Sequence, residues 1–186
     1  MTTGSYLHQT SFTIKDATAL RVRFLILGLF SVALGIAVII LPKMSDFRAE
    51  TLVGSALMLV GIADVWHALL LLSRRGYMLS LMSSLLFFAI GILILVSPIV
   101  DFTSLHIAIG LLFLMGGALR IGKGMDIRPV KNWPWVIASG VLGILFGIYI
   151  WGYEGDVLPW ATIGLLVGIS LIVDGWSRMI VFWVHE

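Results

Sequence analysis

The sequence predicts an all-α integral membrane protein. Six transmembrane helices form three tandem, parallel helical-hairpin repeats, with both termini cytoplasmic. Three observations lead there: the composition, six long apolar stretches, and a glycine–proline pattern that recurs at fixed spacing. Of 186 residues, 60% are hydrophobic and 12% charged. A soluble domain is about 45–50% apolar and about 25% charged. One soluble core of this length cannot hide so much apolar surface, which excludes a soluble enzyme, a disordered tail and a nucleic-acid-binding domain. Zero cysteines exclude disulfides, thiolate nucleophiles and cysteine-ligated metal clusters.

A spanning helix needs about 20 mostly apolar residues. Six stretches qualify: Phe24–Leu41 closed by Pro42, Thr51–Leu72, Tyr77–Ser97 closed by Pro98, Phe102 to about Ile121, Trp133–Trp151, and a last one from near Val157 past Arg178 towards Trp183. One set of flanks holds Lys15, Arg21, Arg23, Arg74, Arg75, Arg120, Lys123, Arg128, Lys131 and Arg178. The other holds Lys43 and Arg48, with Asp46, Glu50, Asp101, Glu154 and Asp156. Cytoplasmic flanks carry the excess of Lys and Arg, so this bias places both termini inside. Residues 1–20 read as a polar cytoplasmic segment, with Phe12–Arg23 either a short interfacial helix or a frayed tail. Residues 21–186 read as the membrane domain. The first apolar run lacks a small-residue cleavage signal and is expected to be retained. Trp133, Trp135 and Trp183 at the inner edge, and Trp151 and Trp160 at the outer edge, fit an aromatic belt.

Gly35-Ile-Ala-Val-Ile-Ile-Leu-Pro42 recurs 56 residues on as Gly91-Ile-Leu-Ile-Leu-Val-Ser-Pro98. A further 56 on, Gly147-Ile-Tyr-Ile-Trp-Gly-Tyr-Glu154 fits the frame with Glu154 in place of proline. In the following helices Gly54 matches Gly110 at the same offset, and Gly164 at an offset of 54, which leaves Leu171 where a second glycine is expected. The repeats are then about 21–75, 77–131 and 133–186. Each holds two spans, so all three share one orientation and are related by rotation about the membrane normal. Inverted repeats, common in alternating-access carriers, are not what this pattern predicts.

Tandem helical-hairpin repeats, six spans in a short chain, a G-x6-P ending on odd helices and a G-x6-G start on even ones resemble the HdeD family of bacterial inner-membrane proteins. The resemblance runs from about Arg21 to Trp183. It implies a role in surviving acid or related envelope stress, in the bacterial cytoplasmic membrane. It brings no catalytic residues, and the third repeat departs from it at Glu154 and Leu171.

Ten residues beyond Gly54, Gly110 and Gly164 come Asp64, Arg120 and Asp174. An ionisable group in a membrane costs about 2.5–3.5 kcal/mol on insertion scales and faces the bundle interior or a partner. Three at one depth predict an Asp64/Arg120/Asp174 cluster near the pseudo-axis. It is either a proton-responsive or ion-binding site, or a structural ion pair that fixes helix neighbours. Asp174 and Arg178, four residues apart on one helix, are also placed to pair. Histidine titrates near neutrality, at about pH 6.5 when unperturbed. His67, on the same face as Asp64, and His106, near the outer end beside Asp101, are therefore the candidate pH-sensing groups, against the plainer roles of a hydrogen bond to Asp64 or to a backbone carbonyl for the first and an interfacial histidine for the second. No histidine pair has metal-ligand spacing, so neither a metal site nor a cofactor is expected.

Gly143-x3-Gly147 and Gly164-x3-Gly168 are small-x3-small faces that let helices approach closely in lipid. Gly28 with Gly35, and Gly54 with Gly61, lie two turns apart on single stripes. Nucleotide-binding glycine loops and hydrolase or metalloprotease signatures are missing. The expected function is thus non-enzymatic: stress tolerance through stabilising the membrane or a partner. The alternative is a small proton-linked channel or transporter using the charged cluster. Expected partners are the lipid bilayer, a second copy of the chain or other envelope stress proteins, and not nucleic acid.

Overall fold

The computed structural model describes residues 4–44, 48–69, 77–96, 102–128, 133–153 and 158–183, with side chains at 22–44, 48–69, 77–96, 105–128, 133–153 and 158–180. It contains six helices: α1 (Gly4–Met44), α2 (Ala49–Leu69), α3 (Tyr77–Leu95), α4 (Phe102–Asp126), α5 (Trp133–Trp151) and α6 (Trp160–Trp183). No strand occurs among the described residues. Each helix is long and apolar enough to cross a bilayer. This is a multi-pass membrane protein.

The helix ends follow from local chemistry. The backbone of α1 is helical from Gly4 onward, and it runs through Pro42 to Met44 instead of stopping at Leu41. A proline in the last turn forfeits only one backbone bond, which a helix end tolerates. At the start of α6, the carbonyl of Pro159 accepts from the amides of Thr162 and Ile163 at 2.9 and 3.1 Å. Proline suits a helix start because its missing N–H is not needed there. Helix α4 continues past Ile121 to Asp126. The added turn is packed: a Cβ on Gly124 would stand 2.6 Å from Ile137 Cγ1 of α5.

The most extensive contacts are α4 with α5, α1 with α6, and α2 with α3. Each joins the even helix of one repeat to the odd helix of the next, and α6 with α1 closes the ring. Glycine makes these seams. A Cβ on Gly28 would lie 2.7 Å from the Gly175 carbonyl oxygen, one on Gly35 2.6 Å from that of Gly168, one on Gly91 2.5 Å from the Met58 amide nitrogen, and one on Gly117 2.5 Å from the Gly140 carbonyl oxygen. Where one number rises the other falls, so the paired helices are antiparallel. With apolar lipid outside, close backbone approach of this kind holds helices together in place of hydrophobic burial.

The even helices form the centre. Half of the α2 and α6 spans (50% each) and 44% of α4 are buried, against 22%, 33% and 28% for α1, α3 and α5. Equivalent positions form layers. Val38, Ile94 and Ile150 are 56 residues apart and 3%, 1% and 1% exposed. One end of the bundle gathers Arg23, Lys123, Arg128 and Arg178, where α2, α4 and α6 finish. It is called the basic end below.

The seams also correct the repeat frame. Gly54 faces Gly91, and Gly168 faces Gly35, each across a carbonyl oxygen at 3.2 or 2.8 Å. A Cβ on Gly164 would meet nothing closer than 3.6 Å among the described residues. Gly168, one turn after Gly164, is therefore the third-repeat counterpart of Gly54 and Gly110, at an offset of 58 from Gly110. In that frame the G-x6-G pattern is intact three times, as Gly54/Gly61, Gly110/Gly117 and Gly168/Gly175. The apparent loss of a glycine at Leu171 disappears. Of the four packing glycines expected from sequence, Gly147 and Gly168 sit in tight seams, a Cβ on Gly143 would stand 3.3 Å from Gly117 Cα, and Gly164 is loosely surrounded.

Candidate functional site: a buried ion network at the basic end

Shifting the frame by one turn changes which charges are equivalent. The counterpart of Asp64 and Arg120 is Arg178, three residues past the second glycine in each repeat. Asp174 stands one turn earlier, where the other repeats have Val60 and Gly116. The repeat position thus reads minus, plus, plus, and Asp174 adds the second negative charge.

These four groups meet between α2, α4 and α6. Arg178 grips Asp64 with both terminal nitrogens: Nη1 donates to Oδ1, and Nη2 donates to Oδ2 at 2.7 Å. The same Nη2 also donates to Asp174 Oδ2 at 2.6 Å, four residues back on its own helix. Arg120 Nε lies 3.4 Å from Asp174 Oδ1. Arg120 Nη1 donates to Ser170 Oγ at 3.1 Å, and its guanidinium carbon lies 5.2 Å from the centroid of the Phe87 ring. Asp64 and Asp174 are 7% exposed and Arg120 5%. A carboxylate buried this far from water persists only with a partner. All four carboxylate oxygens here face a guanidinium, and the bidentate Arg178–Asp64 pair matches the planar fork of arginine to the carboxylate.

Asp64, Arg120 and Asp174, expected as one cluster, are therefore brought together, but through Arg178. Asp64 does not pair with Arg120. Sequence reasoning gave Arg178 only the local pairing to Asp174 because the frame was one turn out. The intact second glycine at Gly175 is the signal that finds it.

The histidines take different places. His67 is buried on α2, and its ring meets Phe24 of α1 edge-on with centroids 4.6 Å apart. The expected hydrogen bond to Asp64 is not among those of the described residues; both Asp64 oxygens are committed to Arg178, and His67 Nε2 has no partner. His106 sits at the opposite end. Its Nδ1 accepts from the Leu158 amide at 3.4 Å, and its Nε2 lies 3.3 Å from the Ile150 carbonyl oxygen. With Nδ1 accepting, Nε2 is the nitrogen placed to donate to that carbonyl, and the ring ties α4 to the end of α5 and the start of α6. Asp101, expected beside it, lies outside the described residues. No group of three or more metal-ligating side chains occurs among the described residues.

Near the network, Lys123 Nζ donates to Ser83 Oγ of α3. Ser83 in turn donates to the Ser80 carbonyl at 2.9 Å.

Comparison with known proteins agrees with the repeat. A family model described as a short repeat of unknown function (DUF308) matches twice, over residues 26–96 and 82–151. The two matches start 56 residues apart (26 to 82), the spacing of Gly35 and Gly91. No curated protein and no solved structure matches the chain significantly. With matches that run from residue 26 to residue 151, the chain belongs to the family of the short repeat of unknown function (DUF308).

Proposed function

We propose that this protein is a non-enzymatic, non-conducting component of a bacterial cytoplasmic membrane that contributes to acid and related envelope-stress tolerance by stabilising the membrane or a partner protein. One observation carries the reading: every carboxylate oxygen in the buried network is held by an arginine. A proton carrier needs a carboxylate free to exchange its proton, and transporter sites are typically built from interrupted helices near the midplane. The described helices run unbroken, and the three most extensive seams are closed by glycine contact. The ring is built to hold its shape.

The link to acid stress rests on the HdeD-type resemblance, which the short-repeat family supports. Placement with both termini cytoplasmic rests on the Lys and Arg bias and puts the ion network near the inner face. His106 then lies near the outer face, which meets acid first.

The test is survival. Cells lacking the gene are expected to die faster on acid challenge, and the wild-type chain is expected to restore survival. A matched-expression variant with Arg178→Met is expected to restore it poorly. Equal survival with and without the gene, under acid and under heat, overturns the reading.

A further inference from the structure

Among the described residues, the cluster holds one cation too many. Asp64 and Asp174 supply two negative charges; Arg120, Arg178 and Lys123 supply three positive ones. The carboxylates are used up by the two arginines. Arg120 spends Nε and Nη1 on α6, and its Nη2 has no partner among the described residues, at 5% residue exposure. Lys123 meets a neutral acceptor, the Ser83 hydroxyl, whose own proton is already donated to Ser80. A buried guanidinium nitrogen and a part-buried ammonium without an anion are costly. Both groups border one seam. They are three residues apart on α4, and their α3 neighbours Phe87 and Ser83 are one turn apart.

We propose that this seam, between α3, α4 and α6, binds a phosphate-type oxyanion held by Arg120 Nη2 and Lys123 Nζ. The anion supplies the missing negative charge and the missing acceptor, and guanidinium and ammonium donors together suit a phosphate oxygen. Depth agrees. Lys123 is three residues from the end of α4 at Asp126, about 5 Å along a helix axis, and Arg120 about 9 Å. That is within reach of the headgroup layer of a bilayer. The phosphate comes from an anionic lipid headgroup or from free phosphate; basic pockets between transmembrane helices suit the former. The site does not depend on the stress-tolerance reading.

The experiment uses the full chain in neutral detergent. Its melting temperature is followed while phosphatidylglycerol, phosphatidylcholine, inorganic phosphate or chloride at matched ionic strength is added. Phosphatidylglycerol or inorganic phosphate is expected to raise it, and phosphatidylcholine and chloride to leave it unchanged. Stabilisation by the lipid alone assigns a headgroup; displacement of the lipid by inorganic phosphate assigns free anion as well. Lys123→Gln is expected to weaken binding about tenfold, the effect of one charge-assisted hydrogen bond. Arg128→Gln, a cation at the same end stacked on Trp133, is expected to bind as wild type. If neither phosphate carrier stabilises the wild type beyond chloride, or if the two variants weaken binding equally, the site does not exist. The wild-type titration decides even if Lys123→Gln fails to fold.

Discussion

Replacing Arg178 by methionine is expected to destabilise the protein more than any other single charge removal, by about 3–5 kcal/mol, the usual effect of stranding a buried ion partner. Among the described residues Arg178 alone reaches both carboxylates, with three hydrogen bonds, and its side chain is only 18% exposed. Without it, Asp64 has no charged partner among the described residues and Asp174 keeps one Arg120 contact at 3.4 Å. Arg120→Leu is expected to cost less, because Asp174 then retains Arg178. Adding Asp64→Asn and Asp174→Asn to Arg178→Met should recover part of the loss, since a neutral amide is cheaper to bury than a carboxylate. Thermal melting in detergent reads all of these. A melting temperature for Arg178→Met equal to wild type would remove the network as a determinant of the fold.

The second large effect separates two glycines one turn apart on α6. Gly168→Ala would place its Cβ 2.8 Å from the Gly35 carbonyl oxygen and 2.5 Å from Ile39 Cγ1. Helices α1 and α6 must then separate, at a cost of about 1–3 kcal/mol for overpacking. Gly164→Ala meets its nearest atoms at 3.6 Å, an ordinary contact. It is expected to be neutral, or to stabilise by up to about 1 kcal/mol through a stiffer unfolded chain. The pair shares a helix, a substitution and a measurement, so the difference isolates the seam. Equal tolerance at both positions contradicts the corrected repeat frame as well as the packing.

The six spans were legible because membrane insertion demands long apolar runs, and composition reports these directly. Trp133–Trp151 matches its helix end for end. The ends that differ did so for local reasons: Pro42 is absorbed in the last turn of α1, and Gly124 extends α4 by packing on α5. The 56-residue repeat was legible because Gly35 and Gly91 are spaced by the same seam geometry. Its third unit was misplaced by one turn. Gly164 and Gly168 are both glycines on neighbouring turns, and identity alone does not say which one meets another backbone. That turn decided the chemistry: it set Asp174 opposite Arg120 and left Arg178 as a local partner. The order of contact, with each even helix against the next odd one and α6 against α1, was not legible either. It depends on which small residues meet across helices, and pattern along one helix does not carry that information.

The proposed ring is sealed, with its buried carboxylates locked to arginine. The seal is tested most directly by proton flux into proteoliposomes carrying an internal pH dye, at neutral and at acidic outside pH. Wild type and the Asp64→Asn, Asp174→Asn double variant are compared with protein-free liposomes. Both proteins are predicted to give no more flux than the lipid alone at either pH. A wild-type flux that disappears in the double variant would contradict the account and make the network a conduction site.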